Sequence, residues 1–371
     1  MPVNHGRIVK TSVQKTKTII GESSMVSIKE IAKYTGASPT TVSNVIHGRT
    51  GKVSQEKFQQ IQAALEKFNY SEQMAGRILA NNGSRIIGLI IQDNIGLTDR
   101  EFSNPYVGEL TQAIEYHVRK QGYYLMYHKS QSFDESLRVM QSWQMEGVIL
   151  SGVQPRELAQ WYQHLKTPAI FLDVFQDETV DVAAEICNVG LDDKVAAAKM
   201  TAYLIQAGHR EIAFLSRGKS ERWQGVDAQR RDGVLQEMRD HGLPVTTVCQ
   251  GMPKYFSEIE AWLDAFIQRR FDGKTVLFFA SDLLAALALS RIQGAGLTIP
   301  DDISVVGFDG NILSRFASPK LTTISQDVNL KAEKALTMLF QKINLEPILA
   351  RNILISGSLI EGETVKQLLS K

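Results

Sequence analysis

Little in this sequence lets a chain hold together by anything except an ordinary buried core. Its 371 residues contain two cysteines, Cys187 and Cys249, 62 positions apart, too few for a disulfide framework. Each lies in a strand-like run and reads as a buried thiol in a reducing compartment. No run approaches the roughly 18 uninterrupted apolar residues of a membrane span. The start, MPVNHGRIVKTSVQKTKTII, is basic but lacks an apolar centre and a small-residue cleavage site, so it does not read as a secretory signal. Catalytic signatures are also missing: there is no HExxH, no CxxC, and no GxGxxG after the first strand. GKT at 273–275 has the form of the end of a phosphate loop, but Gln268 stands where the first glycine belongs. The seven histidines are scattered, and His209 in AGHRE reads as a helix-end residue before a strand. The expectation is a cytoplasmic protein with no catalytic residues, no metal, no cofactor and no membrane partner.

Net charge is scarce too, with 41 Lys and Arg against 40 Asp and Glu, and taken alone this speaks against a nucleic-acid partner. Counting by segment reverses that. Residues 1–85 hold 12 basic and 5 acidic side chains, while the remaining 286 hold 29 and 35. A basic head precedes an acidic body.

From Arg85 onward, short apolar runs alternate with helical patterns. Strand-like runs such as RIIGLIIQ (85–92), GVILSG (147–152), AIFLDV (169–174), EIAFLS (211–216), TVLFFA (275–280) and SVVGF (304–308) are separated by segments apolar at i, i+3, i+4 and i+7. That rhythm predicts an α/β fold, with parallel sheets covered by helices on both faces. There are too many units for one doubly wound domain, so two lobes are expected. The break is expected near 175–192, where FQDETVD interrupts the apolar rhythm.

The head carries three short helix signals. Ser27 and Glu30 form a capping box, and Gly36 ends the first helix. Ser38 caps a second helix with Pro39 at its first position, and a third begins after Ser54. The first two helices have helix-turn-helix spacing, which presents the start of the second to base edges. Thr40, Thr41 and Asn44 are then the groove-facing candidates.

VSIKEIAKYTGASPTTVSNVIHG (26–48), followed by KVSQEKFQQIQAALEKFNY (52–70), resembles the DNA-binding domain of the LacI/GalR family of transcription regulators. SNPY, AGHREIAFLS, IPDDISVVGFD and LTTISQD are similar to landmarks of that family's core. The resemblance runs from Val26 to Leu359. It implies a helix-turn-helix domain over 26–70, after a basic tail of 1–25, and a hinge helix over 71–84. The core would be two-lobed and similar to periplasmic binding proteins, with one lobe from 85–187 and 328–353 and the other from 188–327 and 354–362.

The resemblance also implies function. Ser38, Pro39, Thr40, Thr41, Asn44, His47, Arg49 and Lys52 would meet double-stranded operator DNA. Asn44 stands where many members have arginine, and asparagine suits adenine rather than guanine. Gly76 lies in the hinge helix, and Leu79 would wedge into the minor groove. Glu72 in place of a usual proline, and Gly76 in place of alanine, imply a hinge unusually dependent on DNA.

In the core, Asp173 and Asp309 match carboxylates that accept from ligand hydroxyls, and Arg230 matches an arginine that forks onto the ligand. Asn104, Tyr106, Ser281 and Gln326 are further ligand candidates. Trp223, Phe175 and Tyr255 are aromatics able to stack on a sugar face. The resemblance thus implies a homodimeric repressor controlled by a small effector, expected to be a carbohydrate; the alternatives are corepression, or a sugar-binding or sugar-modifying protein without DNA regulation. Only ETVKQLLSK follows the last strand, short for a tetramer-forming leucine tail.

Overall fold

The computed structural model describes residues 26–70, 83–92, 104–175 and 186–368. The chain divides into two compact units between Asn82 and Gly83. The tail 1–25 and residues 71–82, with Gly76 and Leu79, lie outside the described residues.

The first unit is a three-helix cluster. In α1 (Ile28–Thr35) the capping box is complete: Ser27 Oγ accepts from Glu30 N at 3.3 Å and Glu30 Oε2 accepts from Ser27 N at 2.7 Å. Gly36 closes the helix in the left-handed region at φ 61°, where a side chain would be strained. In α2 (Pro39–Ile46), Ser38 Oγ accepts from Thr41 N at 3.1 Å. α3 (Gln55–Lys67) starts on Ser54, which caps Lys57 N. Helices this short do not persist alone in water. They are held by a common core in which Ile31, Ala32, Val42, Val45, Ile61 and Ala64 are buried.

The second unit contains two parallel sheets. The first comprises β1 (Ile86–Gln92), β2 (Tyr124–Ser130), β3 (Gly147–Ser151), β4 (Ala169–Leu172), β5 (Asn188–Leu191) and a late strand, β11 (Asn352–Ile355). Their order is β11-β5-β4-β3-β1-β2, with every pair parallel. Alternation along β1 sends Ile87 and Leu89 to one face and Ile86 and Ile90 to the other. On the first face pack α4 (Pro105–Lys120) and α12 (Val328–Ile343), and on the second α5 (Phe133–Ser142) and α6 (Leu158–His164).

The second sheet is β6 (Ile212–Arg217), β7 (Cys249–Met252), β8 (Val276–Phe279) and β9 (Ser304–Val306), in the order β7-β6-β8-β9, again all parallel. α7 (Asp193–Gln206) and α8 (Gly225–Asp240) cover one face, and α9 (Phe256–Gln268) and α10 (Asp282–Gly294) the other. Each fully buried Phe, Leu or Ile contributes about 1.5–3 kcal/mol to these layers. Beyond α11 (Ile312–Phe316), a small antiparallel pair joins β10 (Thr323–Ser325) to β12 (Ser358–Ile360).

The lobe limits shift from those expected at 187 and 353. Asn188–Leu191 pairs with β4 and β11, so the first sheet keeps this strand and the chain leaves it only at Asp192. The return strand likewise runs to Ile355. The apolar rhythm does not mark the change, because all four residues of β5 are buried. Cys187 is buried and Cys249 partly so, and both are free thiols. No helix among the described residues is long and apolar enough to cross a membrane.

Candidate functional site

The helix-turn-helix surface is built by local capping. Ser38, Pro39 and Thr40 are exposed at the start of α2, and Thr41 and Asn44 are half-buried one turn on. The hydroxyls of Ser38 and Thr41 lie 2.8 Å apart, so Ser38 both caps the helix and orients Thr41. Arg49 and Lys52 are exposed beyond the helix end, where Arg49 N donates to Asn44 O at 2.8 Å. His47 is the half-buried C-cap. The polar groups at the start of α2 and the cations after it have the composition that base edges and phosphates call for.

The second constellation lies where strand ends of both sheets converge, as expected for parallel sheets. Asp173 follows β4 at φ 55° and Asp309 follows β9 at φ 126°, conformations that non-glycine residues hold only when their surroundings impose them. For Asp173 the constraint is hydrogen bonding. Oδ1 accepts from Leu191 N at 3.1 Å and from Lys331 Nζ at 2.8 Å; Oδ2 accepts from Tyr106 Oη at 3.0 Å and from Lys331 Nζ at 2.9 Å. Lys331, on α12, also donates to Gln326 Oε1 at 3.0 Å and to Tyr106 Oη at 2.8 Å. Gln326 Nε2 in turn donates to Asp309 Oδ1 at 2.8 Å. One hydrogen-bonded chain therefore runs from Tyr106 and Asp173 in the first lobe to Asp309 in the second.

Arg230 anchors the other side. Its Nε donates to Asp193 Oδ1 at 2.7 Å, its Nη1 donates to Ala280 O at 2.5 Å, and its guanidinium lies 3.7 Å from the centre of the Phe308 ring. Burial opposes the Arg230 charge, but Asp193 and Asp309 more than offset it, and its pKa is raised. Burial pushes Asp309 up to about 8 and Asp193 up to about 6, in both cases against the attraction of Arg230. The Tyr106 phenol is also raised, by burial and then by Asp173. Among the described residues, Asp309 Oδ2 and Asp193 Oδ2 are buried without a hydrogen-bond partner. An unmet buried acceptor costs about 1–3 kcal/mol, which a ligand hydroxyl or amine would recover. The arrangement offers acceptors and a partly used guanidinium fork around Phe308, with no nucleophile–base pair.

Five of the seven core candidates, Tyr106, Asp173, Arg230, Asp309 and Gln326, belong to this convergence. The other two serve as helix caps: Asn104 accepts from Tyr106 N at 3.1 Å and Ser281 from Leu284 N at 3.4 Å. Trp223 packs edge-on against Phe214 and donates to Arg217 O, Tyr255 lies beneath the Lys254 ammonium, and Phe175 is half-buried. Sequence reasoning missed Lys331, Asp193 and Phe308. For Lys331 the available signal was a lysine in a helical slot that the apolar stripe Val328, Ala332, Ala335, Leu339 assigns to the core.

A helix-turn-helix unit joined to a two-lobed core with a polar cleft defines a DNA-binding regulator with a small-molecule sensor. Residues 27–73 match the lacI family of bacterial regulatory proteins, and residues 201–365 match the periplasmic binding protein-like domain. Both matches are to domains of LacI/GalR-family regulators, and the chain is similar to that family in each unit. It is 28% identical over 329 residues to the HTH-type transcriptional repressor PurR of Actinobacillus pleuropneumoniae serotype 3, covering 87% of this chain and 92% of that one. Among solved structures, the lac repressor dimer bound to operator and the anti-inducer ONPF superposes with a TM-score of 0.77 at 21% identity, covering 92% of this chain and 100% of that one. The transcriptional regulator CelR–cellobiose complex gives 0.65 at 19% identity, with 91% and 99% covered.

Proposed function

We propose that this protein is a homodimeric repressor whose operator affinity is set by a neutral, hydroxylated effector, a sugar or sugar derivative, bound between the lobes. The observation that carries this reading is the pair of unmet carboxylate oxygens on Asp309 and Asp193 beside Arg230. A sugar hydroxyl both donates and accepts, so adjacent hydroxyls pair with those oxygens in either protonation state and accept from the guanidinium. Phe308, stacked beneath Arg230, holds the fork in place through a cation–π contact. Ser38, Thr40, Thr41 and Asn44 read the operator half-site, and Arg49 and Lys52 hold phosphates. Dimer contact is supported by the apolar exposure of α11, where Phe316 is 79% and Ile312 43% exposed.

The cellobiose carried by the CelR structure favours a sugar. The PurR repressors favour a second reading, a purine base in the same cleft.

The test is a gel shift on the promoter beside its own gene, repeated at several salt concentrations and with panels of sugars and purine bases. Operator affinity falls steeply with salt, because phosphate contacts release counterions. A sugar changes the affinity, and Arg230→Ala abolishes that change. A salt-independent shift sinks the DNA reading, and a response to purine bases alone replaces the sugar.

A further inference from the structure

We infer that the first-lobe half of the cleft is a primary-ammonium site that the protein fills from within, and that Lys331, by occupying it, confines the effector to Arg230, Asp309 and Asp193. This rests on reading the cleft as the effector site.

Three observations carry it. First, Lys331 is 0% exposed although it bears a charge, on a helix whose neighbouring positions Ala332, Ala335 and Leu336 are core. An apolar side chain there would avoid the desolvation that a buried ammonium incurs.

Second, the ammonium is saturated. Its three donors face Tyr106 Oη, both oxygens of Asp173 and Gln326 Oε1, all within 3.0 Å. These acceptors come from β4, the start of α4 and the crossing after β10, so the site is assembled from separate parts of the fold.

Third, Asp173 is saturated in return. A carboxylate offers about four lone-pair positions, and Leu191 N, Tyr106 Oη and two contacts from Lys331 take them. A ligand hydroxyl finds no free acceptor there. On the second-lobe side, Asp309 Oδ2 and Asp193 Oδ2 stand open. The two halves of the cleft are thus unequal: one already holds its cation and the other keeps open polar positions.

The experiment is thermal unfolding of the full-length protein, with n-propylammonium chloride as probe and sodium chloride at equal ionic strength as control. Lys331→Ala removes the length of a propylammonium ion and strands Asp173, lowering the Tm by about 6–10 °C. Propylammonium then raises the Tm of this variant by about 3 °C at ten times its Kd, with no such effect on the parent or on Lys331→Ala combined with Asp173→Asn. Equal response to sodium, or equal rescue without Asp173, overturns the inference.

If Lys331→Ala does not fold, the decision passes to Lys331→Met and its combination with Asp173→Asn. The neutral pair regains most of the Tm lost by Lys331→Met if the ammonium and carboxylate are coupled, and regains none if they are not. Neither DNA nor effector enters these measurements, so failure of the effector reading and failure of the ammonium site are seen separately.

Discussion

Replacing Gly233 by alanine probes the packing that places Arg230. Gly233 lies in α8 where that helix crosses α7, and a Cβ added there meets the backbone oxygen of Lys194 at 2.1 Å and the Cβ of Ala197 at 3.2 Å. The first atom is main chain in another helix and cannot swing aside, so the helices must part by about 1 Å. Two effects compete. Alanine is better than glycine inside a helix by about 1 kcal/mol, whereas overpacking costs about 1–3 kcal/mol, and a rigid carbonyl puts this site at the upper end. The net loss is about 2 kcal/mol, or roughly 4 °C in Tm. A second consequence follows from the same geometry. Arg230 is one turn before Gly233 and Asp193 is next to Lys194, so parting the helices stretches the 2.7 Å bond between them. Differential scanning calorimetry and urea titration read the stability, and effector response in the gel shift reads the fork. Gly233→Ala as stable as the parent, or more so, would refute the reasoning, because overpacking would then cost no more than the helix-propensity gain of about 1 kcal/mol.

His209 is buried against Thr275 Oγ1 at 2.9 Å and Ser304 Oγ at 3.2 Å, and burial pushes its pKa down to about 4. The neutral ring therefore contributes stability that is complete above about pH 6.5 and is lost as pH falls toward 4, about 3 kcal/mol in all. Asp193 and Asp282, raised to about 6, have the opposite slope and cancel in a comparison with His209→Gln. The urea-derived stability difference should move about 3 kcal/mol in the variant's favour between about pH 7 and pH 4, and parallel curves would reject the assignment. Ser38→Ala removes the cap of α2 and the orientation of Thr41. It should destabilise the head by about 1 kcal/mol and weaken operator binding more than non-specific binding. Equal loss on both DNAs would leave only the capping role.

What was legible in the sequence was local. Ser27 with Glu30, Gly36, and Ser38 with Pro39 each name a helix end because their chemistry acts within four residues. Asp173 and Asp309 were legible through the family resemblance, and a polar residue closing an apolar run sits at a strand end, which agrees with it. Lys331 was not, since three of its four acceptor atoms belong to Tyr106 and Asp173, more than 150 positions away, and a charge in a helical pattern is ordinarily a solvated one. Ser281 illustrates the converse. A serine before an acidic residue at a strand end suits a ligand or a cap equally, and only the contact to Leu284 N identifies the cap. The lobe limit was hidden for a related reason: β5 is wholly buried, so its sheet membership is decided by its pairing with β4 across the break and with β11 more than 150 residues away.

The lateness of β11 and α12 bears on how the protein is made. The second sheet has all its strands once Val306 has been synthesised, whereas the first still lacks the helix Val328–Ile343 and the edge strand Asn352–Ile355. Domains emerging from the ribosome commonly fold in the order of synthesis; here the lobe that begins first waits for segments made after every strand of the second sheet. Until then the nascent chain carries β5 as an open edge and one face of its first sheet covered by α4 alone. Translation that stops short of residue 352 would therefore leave its defect in the lobe encoded far upstream.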